Sequence, residues 1–369
     1  MINVGAIIKA HKSRNFIIPR TPITVGVEVE FYNPTRMLQC PVCRNDKESY
    51  EIRMIAKFSY NFHQDYAAVF EMVTPPMALT WPPRKEDIIA MAVVELLVYA
   101  TGGYRVSEYE DPDDERTCGS HHHFRATSSL VMARMHNWAA ILSPLLSPLI
   151  VLARRAESDE DYNVSITEAG VDVVFFRRMF GHYVTKPLLV DSSLVEEADR
   201  SIVSFRGYEM DSSENEFRLV EPNKYRKPVL TIEYRAPENH VLSVFYVGSV
   251  LAAYSNYPVP PVDLDGVYNS HPTYPVRVRD LAVKYGLLKD TRVLKDVMTP
   301  VDVLEKAAEI CYKPYCEPIE EALKEVRMGR RLTWGWYNRR LKQLAEMYEL
   351  KDLAQALDEV TAEYEELRF

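Results

Sequence analysis

The chain has 369 residues, of which 47% are hydrophobic and 26% charged, the composition of an ordinary soluble globular protein. That length exceeds what one hydrophobic core usually serves, so one large domain with an appendage, or two domains, is expected. The net charge of -9 argues against a general nucleic-acid or anionic-membrane binder, since both need a positive surface field, although a local basic groove remains compatible with it.

Met1 to Arg20 carries Lys9, Lys12, Arg14 and Arg20 around short apolar patches. It lacks a continuous apolar core with a small-residue cleavage site, so the expected location is cytoplasmic. Ile23 to Tyr32 reads as a strand from its β-branched content and alternation, stopped by Asn33-Pro34. Residues 35–50 form a polar loop with Cys40-Pro41-Val42-Cys43, the spacing of half a zinc knuckle. Cys311, Cys316 or His63 could supply a second half only if the fold gathered them. Plain loop and core thiols are the expected reading, with a structural Zn²⁺ at Cys40 and Cys43 the alternative. Five cysteines, odd in number and spread out, do not make a secreted disulfide framework.

Glu51 to Tyr60 and Ala67 to Val73 are expected as strands, the second stopped by Thr74-Pro75-Pro76. Lys85 to Thr101 follows as an apolar helix closed by Gly102-Gly103. Tyr104 to Tyr109 is strand-like and Glu110 to Arg116 an acidic turn. After a histidine run, Ser128 to Arg155 has helical character interrupted by Pro144 and Pro148. Residues 156–210 look irregular. Glu216 to Val220 and Pro228 to Arg235 are strand candidates, with a hairpin across Glu221-Pro222-Asn223-Lys224 one way to join them. His240 to Tyr254 is an apolar helix, too short for the ~20 residues of a membrane span and therefore a buried one. Pro258-Val259-Pro260-Pro261 marks an expected boundary, dividing residues 1–260 from a helical region at 261–369. That region ends in one charged amphipathic helix from about Trp336 to Leu367.

Three short stretches carry the chemistry. Glu28 and Glu30 alternate with Val25, Val27, Val29 and Phe31, so both carboxylates leave one face of a strand. Two such acids repel each other unless a cation or an arginine lies between them, or unless the face is simply solvated at a sheet edge. In Gly119-Ser120-His121-His122-His123-Phe124-Arg125, His121, His123 and Arg125 share a face and His122 takes the other. Imidazoles spaced in this way can ligate metal or meet phosphate oxygens, and Arg125 can extend an anion cradle. Glu233 and Arg235 again pair an acid and a base on one face, as a cross-strand ion pair would. Together the three stretches point to a divalent-cation site on one sheet face and to phosphate chemistry. A zinc hydrolase is disfavoured, because three contiguous histidines on a strand cannot all face one metal.

The order GVEVEF, then EMVTPP (Glu71 to Pro76), then GSHHHFR, then TIEYRAPE resembles the glutamine-synthetase-like carboxylate–amine ligases, and among them the amidoligase branch, across residues 23 to 255. The resemblance implies an α+β, glutamine-synthetase-like domain with a curved, mostly antiparallel sheet flanked by helices. That sheet would line a funnel for Mg²⁺ (or Mn²⁺) and ATP. By the same resemblance Glu28, Glu30, Glu71, His121 and Glu233 are metal ligands, and His123 stands toward the nucleotide phosphates. Arg235 meets the acid substrate or the transferring phosphoryl group. Where the family often has Asp-Gly-Ser, this chain has Gln64-Asp65-Tyr66.

Joining a carboxylate to an amine in water is unfavourable, so the acid must first be activated. Transfer of a phosphoryl group for that purpose needs divalent ions and cationic side chains. Arg125, Arg218, Arg226 and Arg235 are the candidate cations. The expected catalytic residues are Arg235, Glu71 and Arg125, and those for the nucleotide His123, Arg125, Arg218 and Arg226. The expected activity is an ATP- and Mg²⁺-dependent amidoligase acting on small-molecule or peptide carboxylates and amines. The alternatives are a guanidino or carboxylate phosphotransferase on the same fold, or a non-catalytic metal-binding assembly module. No membrane or nucleic-acid partner is expected, and oligomeric state is left open.

Overall fold

The structure is a computed structural model. It describes residues 3–14, 19–32, 47–66, 69–101, 103, 119–142, 146, 149, 164–167, 170–173, 203–206, 208–211, 216–219, 231–235, 237–257, 276–277 and 300–366. The expected CxxC loop, the strand at Tyr104 to Tyr109, the turn at Glu110 to Arg116, Arg226 and the boundary at Pro258 to Pro261 lie outside these residues.

The centre of the fold is β1 (Ile23–Tyr32), placed where its alternation predicts. Ile23, Val25, Val27, Val29 and Phe31 are buried, while Thr24, Gly26, Glu28, Glu30 and Tyr32 face the more open side. Around it run β2 (His63–Tyr66), β3 (Val69–Val73), β4 (Met77–Ala78), β5 (Ser120–Ala126), β8 (Val203–Arg206) and β11 (Thr231–Tyr234). The order is β2-β3-β1-β5-β11-β8, with β4 on β1, and every pairing in this sheet is antiparallel. The architecture is therefore α+β with an open antiparallel sheet. Two smaller sheets pair β6 (Val164–Thr167) with β7 (Gly170–Val173) and β12 (Val276–Arg277), and β9 (Tyr208–Asp211) with β10 (Glu216–Leu219). The stretch expected to be irregular thus contains strands. Among the described residues β10 pairs with β9 while β11 lies between β5 and β8, so these two strands do not pair with each other as the expected hairpin requires.

The apolar face of the sheet is covered by α4 (Ser129–Leu142) and α5 (Ser243–Tyr254). Every residue of α5 is buried, as an all-apolar helix demands. Its approach to the sheet is close: a Cβ at Gly248 would stand 2.9 Å from the Phe124 ring and 3.2 Å from Leu79. α3 (Lys85–Ala100) is also buried nearly all round and packs against α1 (Val4–Ser13). It ends as expected: the amide of Gly103 donates to the carbonyl of Val98 at 2.9 Å, the six-to-one bond of a Schellman closure.

Of the stretch Glu51 to Tyr60, expected as a strand, all but Tyr60 belongs to the helix α2 (Lys47–Ser59). Its β-branched and aromatic residues suggested extension, but Ile52, Ile55 and Ala56 are the buried ones, and that spacing is helical. The C-terminal helices are α6 (Pro300–Ile310), α7 (Cys316–Arg327), α8 (Trp334–Met347) and α9 (Lys351–Glu366). The single expected terminal helix is thus two. The Glu349 amide donates to Glu346 O and the Leu350 amide to Ala345 O, each at 2.9 Å, and Glu349 has φ 60. This is a full Schellman stop with glutamate where glycine is usual. α6 and α7 pack on α5, and α8 and α9 on α3, so one apolar cluster runs from Val4 to Val360. Cys311 and Cys316 form a disulfide between α6 and α7, which removes them as zinc ligands. No helix among the described residues is long and apolar enough to cross a membrane.

Candidate metal centre

Register decides which side chains meet. Glu28 on β1 stands opposite His121 on β5, and Gly26 opposite His123. Glu30 stands opposite Glu71 on β3, and Glu233 on β11 opposite His123. Because strand side chains alternate, Glu28, Glu30, Glu71, His121, His123 and Glu233 gather on the face away from α5. The β3 end of this array is held by Thr74. Its hydroxyl accepts from the Val27 amide, and its own amide donates to Val27 O, both at 2.8 Å.

Glu28 is the hub. Its Oε2 is 3.2 Å from His121 Nδ1 and its Oε1 is 3.1 Å from His123 Nε2. His121 Nδ1 is also 3.3 Å from Glu233 Oε1, and its Nε2 is 3.7 Å from Glu30 Oε1. Glu71 is almost buried, with Oε1 3.8 Å from Nε2 of His63 on β2. Glu30 is turned partly away from the others: its Oε2 accepts from the Gly119 amide at 2.6 Å. Arg235 donates from Nε to Glu233 Oε1 at 3.0 Å. Thr231 Oγ1 lies 3.2 Å from His123 Nδ1.

Charge in this cluster is unevenly shared. Burial raises the Glu28 carboxyl, but contacts from His121 and His123 outweigh it and hold the group well below the usual carboxylate range. Burial, and then the charge on Glu28, pushes Glu71 up to about 7. Burial also works against a charged His121, yet its hydrogen bond to Glu28 and the charges of Glu30 and Glu233 raise it. Two carboxylates about 4 Å apart repel by about 4 kcal/mol at an effective dielectric constant of ~20. The carboxylates around His121 thus favour positive charge at this position, which a bound cation would also supply.

Two overlapping ligand sets follow. Glu28, Glu71 and His121 form one and Glu28, His123 and Glu233 the other, the ligand atoms of each set lying within 4.8 Å of one another. Both use Glu28. Two features fit a bound ion. His123 Nε2 is buried and its near neighbour is Glu28 Oε1 at 3.1 Å, so imidazole and carboxylate stand as two ligand atoms of one set would. Gly26 leaves space beside His123, and packing alone does not demand glycine there, since a Cβ would meet Thr74 only at 3.9 Å. One imidazole with two carboxylates in each set suits Mg²⁺ or Mn²⁺ better than the sulfur-rich sites that select zinc.

Of the other expected residues, Arg125 is exposed on β5 opposite Thr24, on the same face. Arg218 lies on β10, opposite Glu209 of β9, in a sheet separate from this one. His122 points to the core and is fully buried. His63, in the sequence a candidate only for zinc, stands beside Glu71. Its place beside Glu71 arises from the β2–β3 pairing, in which the two residues are partners, and no motif signals it.

No family model matches the sequence, and no curated protein does. Among solved structures the chain is similar to a bifunctional glutathione synthetase from Pasteurella multocida, with a TM-score of 0.40 and 14% identity over 92% of this chain and 52% of that one. It is also similar to a novel glutamine synthase homolog, with a TM-score of 0.36 and 10% identity over 90% and 69%. The chain spans about half the length of the first. At such scores the likeness transfers no activity.

Proposed function

We propose that the chain is an ATP- and Mg²⁺-dependent carboxylate–amine ligase, forming an amide or isopeptide bond through an acyl phosphate. The observation that carries this reading is the pair of ligand sets sharing Glu28 on the open face of an antiparallel sheet. It is joined by the motif order that resembles the amidoligases.

In this reading Glu28, Glu71 and His121 hold one divalent ion and Glu28, His123 and Glu233 a second. Bound there, such ions supply charge neutralisation for phosphate oxygens. The chain's own residues do the rest. Glu233 fixes Arg235 through Nε, so the guanidinium presents its Nη groups as donors to an anionic oxygen. Arg125, exposed on the same face, adds a second cation toward solvent. Thr231 beside His123 Nδ1 orients that imidazole with Nε2 toward Glu28. Substrate carboxylate and phosphate thus meet positive charge on one side and the ligand carboxylates on the other.

A hydroxylamine trap tests this without knowledge of the amine. The purified chain is incubated with ATP, Mg²⁺, hydroxylamine and pooled amino acids and dicarboxylates. Hydroxamate and ADP in equal amounts, both abolished by Glu28→Gln, are expected. A phosphorylated product without hydroxamate would support the phosphotransferase instead, and no ADP with any pool would refute both.

A further inference from the structure

The strand that carries both imidazoles is anchored from behind, and the anchor leads to the far side of the molecule. His122 lies between His121 and His123 on β5, is fully buried, and its Nε2 is 2.9 Å from Ser243 Oγ at the start of α5. Ser243 has one hydroxyl proton, and two carbonyls compete for it: Glu238 O at 2.9 Å and His240 O at 2.6 Å. Toward His122 the hydroxyl is therefore an acceptor, and His122 must carry its proton on Nε2. Nδ1 is then the bare acceptor of the ring, and it makes no hydrogen bond.

The polarity continues through His240. Its Nδ1 accepts from the Leu242 amide at 3.0 Å, so its proton too sits on Nε2, 3.4 Å from Asn338 Oδ1 on α8. Asn338 in turn donates from Nδ2 to Leu357 O at 3.0 Å and to Thr361 Oγ1 at 2.7 Å, both on α9. Ser243, His240 and Asn338 are buried throughout. Glu95 of α3 braces the same turn by accepting from the Val241 amide at 2.9 Å and from the Trp334 indole at 3.3 Å.

We infer that His122, Ser243, His240 and Asn338 form a buried positioning chain that makes α8 and α9 part of the support of the metal-binding strand. None of the four touches the open face. Their role is to fix the height and rotation of β5 over α5. A strand turns as a unit, so His121 and His123 move together if His122 loses its acceptor. Sequence spacing alone does not suggest that a residue at position 338 bears on ligands at 121 and 123.

The inference uses the ligand sets proposed above only for its second readout, so the two can fail separately. In the first, amide hydrogen exchange across residues 120–126 is followed without metal. His122→Gln keeps a donor at the place of Nε2 and should leave protection near that of the parent. His122→Asn moves the donor to the place of Nδ1, and Asn338→Leu removes at similar volume the nearer acceptor of His240, leaving Glu95 Oε1 at 3.7 Å. Both should speed exchange in β5 by about tenfold or more. In the second, Mn²⁺ affinity should fall about tenfold in His122→Asn and Asn338→Leu but stay within about threefold in His122→Gln, the scale at which residues behind a metal ligand act. Selective ¹⁵N-histidine spectra should show His122 as the Nε2–H tautomer. An Nδ1–H tautomer, equal behaviour of the Gln and Asn variants, or β5 exchange untouched by Asn338→Leu would each overturn the inference. A parent chain that binds no Mn²⁺ would refute the ligand sets and leave the exchange result to decide the chain.

Discussion

Glu28 shows how far a single side chain was legible. Its face follows from period-two alternation, and the β1–β5 pairing sets it beside the histidines. That one carboxylate is shared by two ligand sets could not be read, because it depends on the β1–β5 and β5–β11 registers, which no local pattern specifies. The same holds for Glu30, whose carboxylate is engaged by the Gly119 amide. Glu71 gives a pH prediction. A carboxyl raised to about 7 in the folded chain contributes stability that is fully present below its unfolded value of about 4.5. That contribution is lost as pH rises through about 7. Glu71 must ionise to bind a cation, so Mn²⁺ affinity should rise as pH climbs to about 7. A titration calorimeter checks this, and an affinity independent of pH over that range would show that Glu71 is not a ligand.

At the scale of elements, strands with clean alternation and helices with closing signals were legible, and mixed signals misled. β1 and α3 lie where composition puts them. In α2 the β-branched and aromatic residues favour extension, while tertiary burial of Ile52, Ile55 and Ala56 selects a helix. The break between α8 and α9 was invisible because its stop uses Glu349 in the left-handed region, where a sequence reader looks for glycine. α7 has the usual form, with Gly329 at φ 70. An L-residue other than glycine held there costs about 1 kcal/mol. Glu349 is exposed, so Glu349→Gly should stabilise the chain by up to about 1 kcal/mol without altering metal binding. A higher denaturant midpoint checks this, and a lower one would mean that the glutamate side chain contributes more than its backbone costs.

For the whole molecule, the apolar cluster joins the N-terminal helix, the sheet and the last helix. Nothing in the sequence pattern told which helices would cover α3 and α5. Removal of residues 300–369 uncovers both, so the shortened chain should lose its sharp melting transition and bind hydrophobic dyes. A cooperative transition like that of the full chain would show that the C-terminal helices are an independent layer. On the proposal above, the open face of the sheet is a divalent-cation centre organised on Glu28. Its most direct test is Mn²⁺ binding by electron paramagnetic resonance, with Mg²⁺ as competitor, in the parent chain and in Glu28→Gln and Glu30→Gln. The parent should bind two ions that Mg²⁺ displaces; Glu28→Gln should lose both, and Glu30→Gln should weaken binding by less than about tenfold. Unchanged Mn²⁺ binding in Glu28→Gln would contradict the account.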